Sequence, residues 1–287
     1  GKTSDGKELL GFDPNDQIIE ASETIDATAQ NSEENKNNGT DTESLDINID
    51  FPPEQLNLTG IFKNVTSIQE LTFMSEFKQL TTAKDMFTGC SKLKKVDFGN
   101  CTFEKITDLS FLFNQCTMLT DVKFGPKIST TKVKSMNKMF SGCGNLTSVD
   151  LQAFSFEKVE NMSNLFDNCT KLETIKLPKN AKIPKVKTME SMFSRCTSLK
   201  KFDFTFINAV SLVNVTNLFF GCSKLEGANI NNLNATNCKN MSGIFNGCKV
   251  LKEVDLTNIK TEQVEDLSFM FIGCTELEKV TLSEKAK

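Results

Sequence analysis

MFSGCGNLTSVDL, residues 139–151, places apolar side chains at Met139, Phe140, Cys143, Leu146, Val149 and Leu151. The same spacing returns around Cys90, Cys116, Cys143, Cys169, Cys196, Cys222, Cys248 and Cys274, with successive anchors 26 or 27 residues apart. A fixed period in that range marks a solenoid: each repeat is too small to bury its own apolar face and does so against its neighbours.

Phenylalanine fills the position three before every anchor (Phe87, Phe113, Phe140, Phe166, Phe193, Phe219, Phe245 and Phe271), and leucine the position three after it, from Leu93 to Leu277. Upstream, Val133, Met136, Met139, Phe140 and Cys143 follow helical spacing. Downstream, Leu146, Val149 and Leu151 change to a strand pattern, in which the last two face inward. The reading is an α/β repeat: a leucine-rich-repeat solenoid of about ten coils of 26–27 residues. Each coil carries one short parallel strand and a short helix or helical turn. The 27-residue intervals place their extra residue in return loops, at Gly125–Thr130 and Pro178–Pro184.

Two segments precede the regular coils. Residues 1–44 form an acidic flexible arm; residues 1–50 hold 3 Lys against 13 Asp and Glu, whereas residues 51–287 carry a net charge of +6. Polar runs such as Ala29–Glu43 lack the apolar area that offsets ordering entropy. The solenoid runs from 45 to 287, with 45–80 as N-terminal capping coils. LDINIDF alternates from Leu45 to Phe51 as a first strand, and Val65 stands in the cysteine slot of the next coil. A valine there implies that the slot takes a small buried apolar group and that the thiol is a filler.

The chain has no His, Tyr or Trp, and a single arginine, Arg195. General acid–base catalysis relies most often on His, anion recognition on a bidentate Arg, and interface hot spots on Trp, Tyr and Arg. These absences argue for a non-enzymatic protein with no catalytic residues, no cofactor and no resident metal. Interleaved Lys and Asp/Glu give no basic nucleic-acid surface. No stretch approaches the length of a membrane helix.

Ten cysteines could form a disulfide framework. Eight of them, however, recur once per coil, pointing the same way on neighbouring coils, which is poor geometry for a bridge. They read as a column of buried free thiols, with Cys101 and Cys238 in further inward slots. Carboxylates at Asp203, Glu253 and Asp255 make an acidic patch, with no calcium-binding motif around it. N-x-S/T triplets, among them Asn57, Asn64, Asn145 and Asn214, matter as glycosylation acceptors only if the host glycosylates.

The candidate binding face is the outward position at mid-strand. Up the stack it reads Asp97, Lys123, Asp150, Lys176, Asp203, Asn229, Asp255 and Thr281. One reading is a self-neutralising charge ladder. The other is a polar face for a partner, since solenoids bind through extended strand surfaces.

Phrases such as VENMSNLFDNCTKLETIKL (159–177) and VEDLSFMFIGCTELEKVTL (264–282) resemble the BspA-type leucine-rich repeats of bacterial surface lipoproteins and adhesins. The resemblance covers roughly residues 45–287. The aromatic that often follows the strand in that family is missing here. The resemblance implies cell-surface display and binding to a host or neighbouring-cell surface or matrix protein or glycan. It also implies membrane attachment only through an N-terminal lipid anchor ahead of Gly1, whose presence in place of Met fits a mature or trimmed form. The alternative is a structural spacer or self-assembling surface subunit without a soluble ligand.

Overall fold

The computed structural model describes residues 57–282, apart from 74, 75, 77, 234, 235 and 261, together with the backbone of strand 44–47. Of the proposed arm, residues 1–44, all but Ser44, which begins the first strand, lie outside the described residues. Within them the chain winds into a parallel β-solenoid of about eight regular coils rather than ten, one per anchor cysteine. The N-terminal region adds two further strands to these.

The described residues hold ten strands: β1 (Ser44–Ile47), β2 (Glu70–Phe73), β3 (Lys95–Asp97), β4 (Asp121–Lys123), β5 (Ser148–Asp150), β6 (Thr174–Lys176), β7 (Lys201–Asp203), β8 (Gly227–Asn229), β9 (Glu253–Leu256) and β10 (Lys279–Leu282). All pairings are parallel, as they must be when every coil turns the same way. They group as β1-β2-β3-β4, β5-β6, β7-β8 and β9-β10. Alternation buries Val149 and Phe202 between exposed neighbours, as the Val-x-Leu reading expects.

The expected helix does not form. Among the described residues there is no α-helix, and the sole helical element is one 3-10 turn at Asn231–Leu233. The segment before each cysteine is instead a pair of tight turns. In the Cys143 coil, Met139, Ser141 and Cys143 donate their amides three residues back, to Met136, Lys138 and Phe140. The intervening amides of Met136, Lys138, Phe140 and Gly142 donate to carbonyls of the next coil, at 2.8–3.0 Å. A helix uses every amide internally; here every second one ties two coils together.

Backbone handedness enforces this. Lys138 and Gly142 have φ of 55° and 78°, and every coil from Gly60 and Asn64 to Phe269 and Gly273 repeats a left-handed residue at both positions. A left-handed residue every fourth position is incompatible with a right-handed helix, yet it leaves the apolar side chains at the same three-and-four spacing.

A second parallel ladder lies before these turns, through Thr82, Asp108, Ser135, Asn161, Thr188, Asn214, Asn240 and Asp266. Each of these side chains accepts the backbone N–H two residues on, at 2.8–3.4 Å. Short polar side chains favour turns by this local bond.

Down the axis, nine phenylalanine rings from Phe62 to Phe271 stack with centroids 5.2–6.0 Å apart and planes within 16° of parallel. The cysteine column runs beside them. All ten thiols are free, and all but Cys274 are buried.

Candidate functional site: the polar strand face

Position seven after each cysteine is not mid-strand: it is the last residue of β3 to β8 and the third of four in β9 and β10, and the repeat aligns the eight candidate residues along one line of the rod. Strand register sets Asp97 beside Lys123, Asp150 beside Lys176, Asp203 beside Asn229 and Asp255 beside Thr281. The spacing brings neighbouring pairs together, but not the whole row. Lys123 Nζ lies 3.8 Å from Asp97 and Lys176 Nζ 3.7 Å from Asp150. No ion pair joins Lys123 to Asp150 among the described residues, and a sheet boundary falls between their strands. Asp203 and Asp255 are separated by the whole β8 rung, so the acidic patch is not gathered into a cluster. Among the described residues no group of three or more His, Cys, Asp or Glu is placed to hold a metal ion.

The carboxylates also have a local task. Asp97, Asp150 and Asp255 accept the backbone N–H groups of Gly99, Gln152 and Thr257 at 2.8, 3.0 and 2.9 Å, and Asn229 accepts that of Asn231 at 3.1 Å. These bonds hold the turn that takes the chain off the strand. At Asp255 the Thr257 hydrogen bonds, backbone first, hold the carboxyl below the usual carboxylate range.

Beside the first rungs the surface opens into a groove of about 850 Å³, lined by Asp97, Asn100, Asp121, Lys123, Asp150 and Gln152, with Phe124 and Phe154 in its wall. Gly99 and Gly125 meet backbone to backbone in its floor, where a Cβ on Gly125 would run into the Gly99 carbonyl. Close approach of this kind is why glycine is required there. Phe124 packs flat on Phe98 at 5.5 Å and edge-on against Phe154 at 4.7 Å. The groove is therefore polar along its edges and rigid beneath.

A second charge ladder went unread in the sequence. Nine residues before the cysteine, Lys134, Glu160, Lys187, Val213, Lys239 and Glu265 follow one another up the flank. Lys187 meets Glu160 at 3.0 Å and Lys239 meets Glu265 at 3.0 Å. The repeat period was the available signal; the helical reading hid which face these residues occupy. The lone arginine is engaged, with Arg195 Nη1 3.3 Å from Asp167 and its guanidinium 5.7 Å from the Phe220 ring centroid.

The thiols do not resemble nucleophiles. Burial pushes Cys90 and Cys222 up to about 12 and drives Cys143 well above its ordinary value. A reactive cysteine needs the opposite shift. The arrangement offers an extended polar surface.

A family model described as "Mycoplasma protein of unknown function, DUF285" matches residues 81–206 and 187–284. No curated protein matches. Among solved structures, a leucine-rich repeat protein from Bacteroides ovatus is 18% identical, with 93% of this chain and 76% of that one covered and a TM-score of 0.47. A leucine-rich repeat protein from T. pallidum is 19% identical over 83% and 85% of the two chains, with a TM-score of 0.38. A leucine-rich cell surface protein from Faecalibacterium prausnitzii is 17% identical over 86% and 92%, with a TM-score of 0.26.

Proposed function

We propose that this chain, which belongs to the DUF285 family, is a non-enzymatic recognition module. On this reading it is displayed at a cell surface and binds a host or neighbouring-cell protein or glycan through the polar strand face. The observation that carries the reading is the line of outward residues from Asp97 to Thr281, one per rung, running beside an open groove with a rigid floor. A surface built this way offers repeated hydrogen-bonding and charged groups at a fixed spacing, which suits an extended partner. Without Trp, Tyr or free Arg, single contacts are weak, and multivalent display supplies the avidity. A lipid anchor ahead of Gly1 is part of this proposal.

The test is binding of the purified chain to arrays of matrix proteins and glycans, repeated with Lys123→Glu and with Asp150→Asn, which keeps the oxygen that accepts the Gln152 amide. Both side chains are exposed, and their ion pairs are the kind that contribute little to stability. Loss of captured partners with an unchanged melting temperature supports the face. Moderate salt weakens the same binding. Capture that survives both substitutions removes this face from the proposal.

A structural role is the second reading, and one observation favours it: the ladder carboxylates are already committed to turn amides and neighbouring lysines. Arrays that capture nothing would favour that role.

A further inference from the structure

The tight-turn strip has a direction. In every described coil before the last, its alternate amides donate towards the C-terminal end and its alternate carbonyls accept from the N-terminal side, as in Gly243 to Ser268, Phe245 to Met270 and Gly247 to Ile272 at 2.7–3.0 Å. Stacking cancels these groups everywhere except at the two ends. In the last coil the equivalent amides of Phe269, Phe271 and Gly273 have no acceptor among the described residues. In the first, the equivalent carbonyls of Thr59, Ile61 and Lys63 have no donor among them. Among the described residues, one end of the rod thus carries a row of donors and the other a row of acceptors, at the same two-residue spacing.

The ends also differ in cover. Leu58, Ile61 and Phe62 at the N-terminal end are buried, and β1 lies on the edge of β2 in the register Ser44–Glu70 to Ile47–Phe73. At the other end Phe269, Ile272 and Leu282 are 65, 54 and 55% exposed, and an apolar cavity of about 260 Å³ opens between Met241, Met270 and Leu282. Among the described residues, β10 pairs with β9 and no strand lies on its other edge.

We propose that copies of this chain stack head to tail, the last coil of one seating on the first coil of the next. Only this polarity brings donors to acceptors; mating two C-terminal ends with their turn strips opposed would set amides against amides. Strand β1 stands one rung beyond the Thr59–Lys63 carbonyl row, so a flush contact requires an exchange. In that exchange the neighbour's β10, KVTL, takes the β2 edge that β1, SLDI, occupies. The two strands are both four residues long and have the same polar–apolar alternation, so either fits the register. Such a contact is heterologous and does not close on itself, so it builds open assemblies. Strand β1 is the competitor that limits them.

Sedimentation velocity over a concentration series tests this with the full chain, with Leu45→Pro/Asp46→Pro and with Phe269→Lys. Proline removes ladder amides from β1 and frees the β2 edge. The expected result is growth of the β1 variant beyond dimer, starting at a concentration at least about tenfold below that of the unaltered chain. Adding Phe269→Lys to the β1 variant returns it to monomer, with the circular dichroism melt of Phe269→Lys alone matching the unaltered chain. A β1 variant that stays monomeric overturns the proposal. So does association that stops at dimer, as does assembly indifferent to Phe269→Lys.

Discussion

The Cys143 thiol donates a hydrogen bond to the Phe113 carbonyl of the preceding coil at 3.1 Å. The same bond recurs from Cys90 to Phe62 through to Cys274 and Phe245, at 2.9–3.3 Å. Each of these carbonyls also accepts the amide three residues on, as Phe113 does from Cys116 at 3.1 Å. The thiol therefore does more than fill space: it occupies the second lone pair of a buried carbonyl. Val65 fills the same slot in the first coil with an apolar side chain that has no donor for such a bond.

These thiols make stability sensitive to alkali. An unfolded chain ionises its cysteines near the ordinary value of 9.0, whereas burial holds Cys90 and Cys222 protonated up to about 12. Above pH 9 the unfolded state releases protons that the folded state keeps, so unfolding is favoured as pH rises. Stability contributed by the thiols is full below pH 9 and falls between 9 and 12. The melting temperature is expected to stay level from pH 6 to 8.5 and then drop steeply. Under native conditions a thiol reagent should label Cys274 first, since it is the one cysteine that is not buried.

The ring stack sets a gradient along the rod. Phe140 lies between Phe113 and Phe166, each 5.5 Å away, and is fully buried. Phe140→Ala should cost about 3–5 kcal/mol by urea unfolding. Among the described residues Phe271 stacks on one ring, Phe245 at 6.0 Å, and it is partly exposed. Phe271→Ala should cost less than half as much. Equal losses at the two sites would mean that the stack contributes nothing beyond local burial.

Asn161 is a turn residue that looks like a glycosylation acceptor. Its Oδ1 accepts the Ser163 amide at 2.8 Å, as Asn214 does for Thr216 at 2.9 Å. Asn161→Ala should lower stability by about 1 kcal/mol through the lost bond. Asn161→Asp should be nearly neutral, because Asp108 and Asp266 make the same bond in their coils. A thermal melt of the two variants separates the outcomes.

The groove floor predicts a contrast between two glycines. Gly125→Ala forces a methyl group into the Gly99 carbonyl and should cost about 1–3 kcal/mol. Gly144→Ala meets only the Thr170 hydroxyl at 3.5 Å, an ordinary contact, and should stay within about 0.5 kcal/mol. Chemical denaturation of both reads the difference.

The N-x-S/T triplets show how one local pattern can carry two readings. Asn161, Asn214 and Asn240 stand eight residues before a cysteine, where every coil carries Asn, Asp, Ser or Thr. That column was visible as a period, and turn capping accounts for it without any sugar. The left-handed columns, one and five residues before each cysteine, were also there, enriched in Gly and Asn. Phe111, Gln115, Lys138 and Arg195 in the same columns masked them. Those side chains adopt the conformation because the bonds to neighbouring coils over-determine it.

The amino-acid sequence by itself determined the period, the inward slots from Phe62 to Leu277, the free buried thiols and the outward line from Asp97 to Thr281. All of these follow from side-chain polarity at fixed spacing, which one chain carries unaided. Only the tertiary structure decided that turns replace helices, that the thiols are donors, that the charge ladder pairs within sheets, and that the rod has a donor end and an acceptor end. Each of those depends on hydrogen bonds between residues about 25 positions apart. Helices and stacked turns share one apolar spacing, and only the partner across the coil distinguishes them.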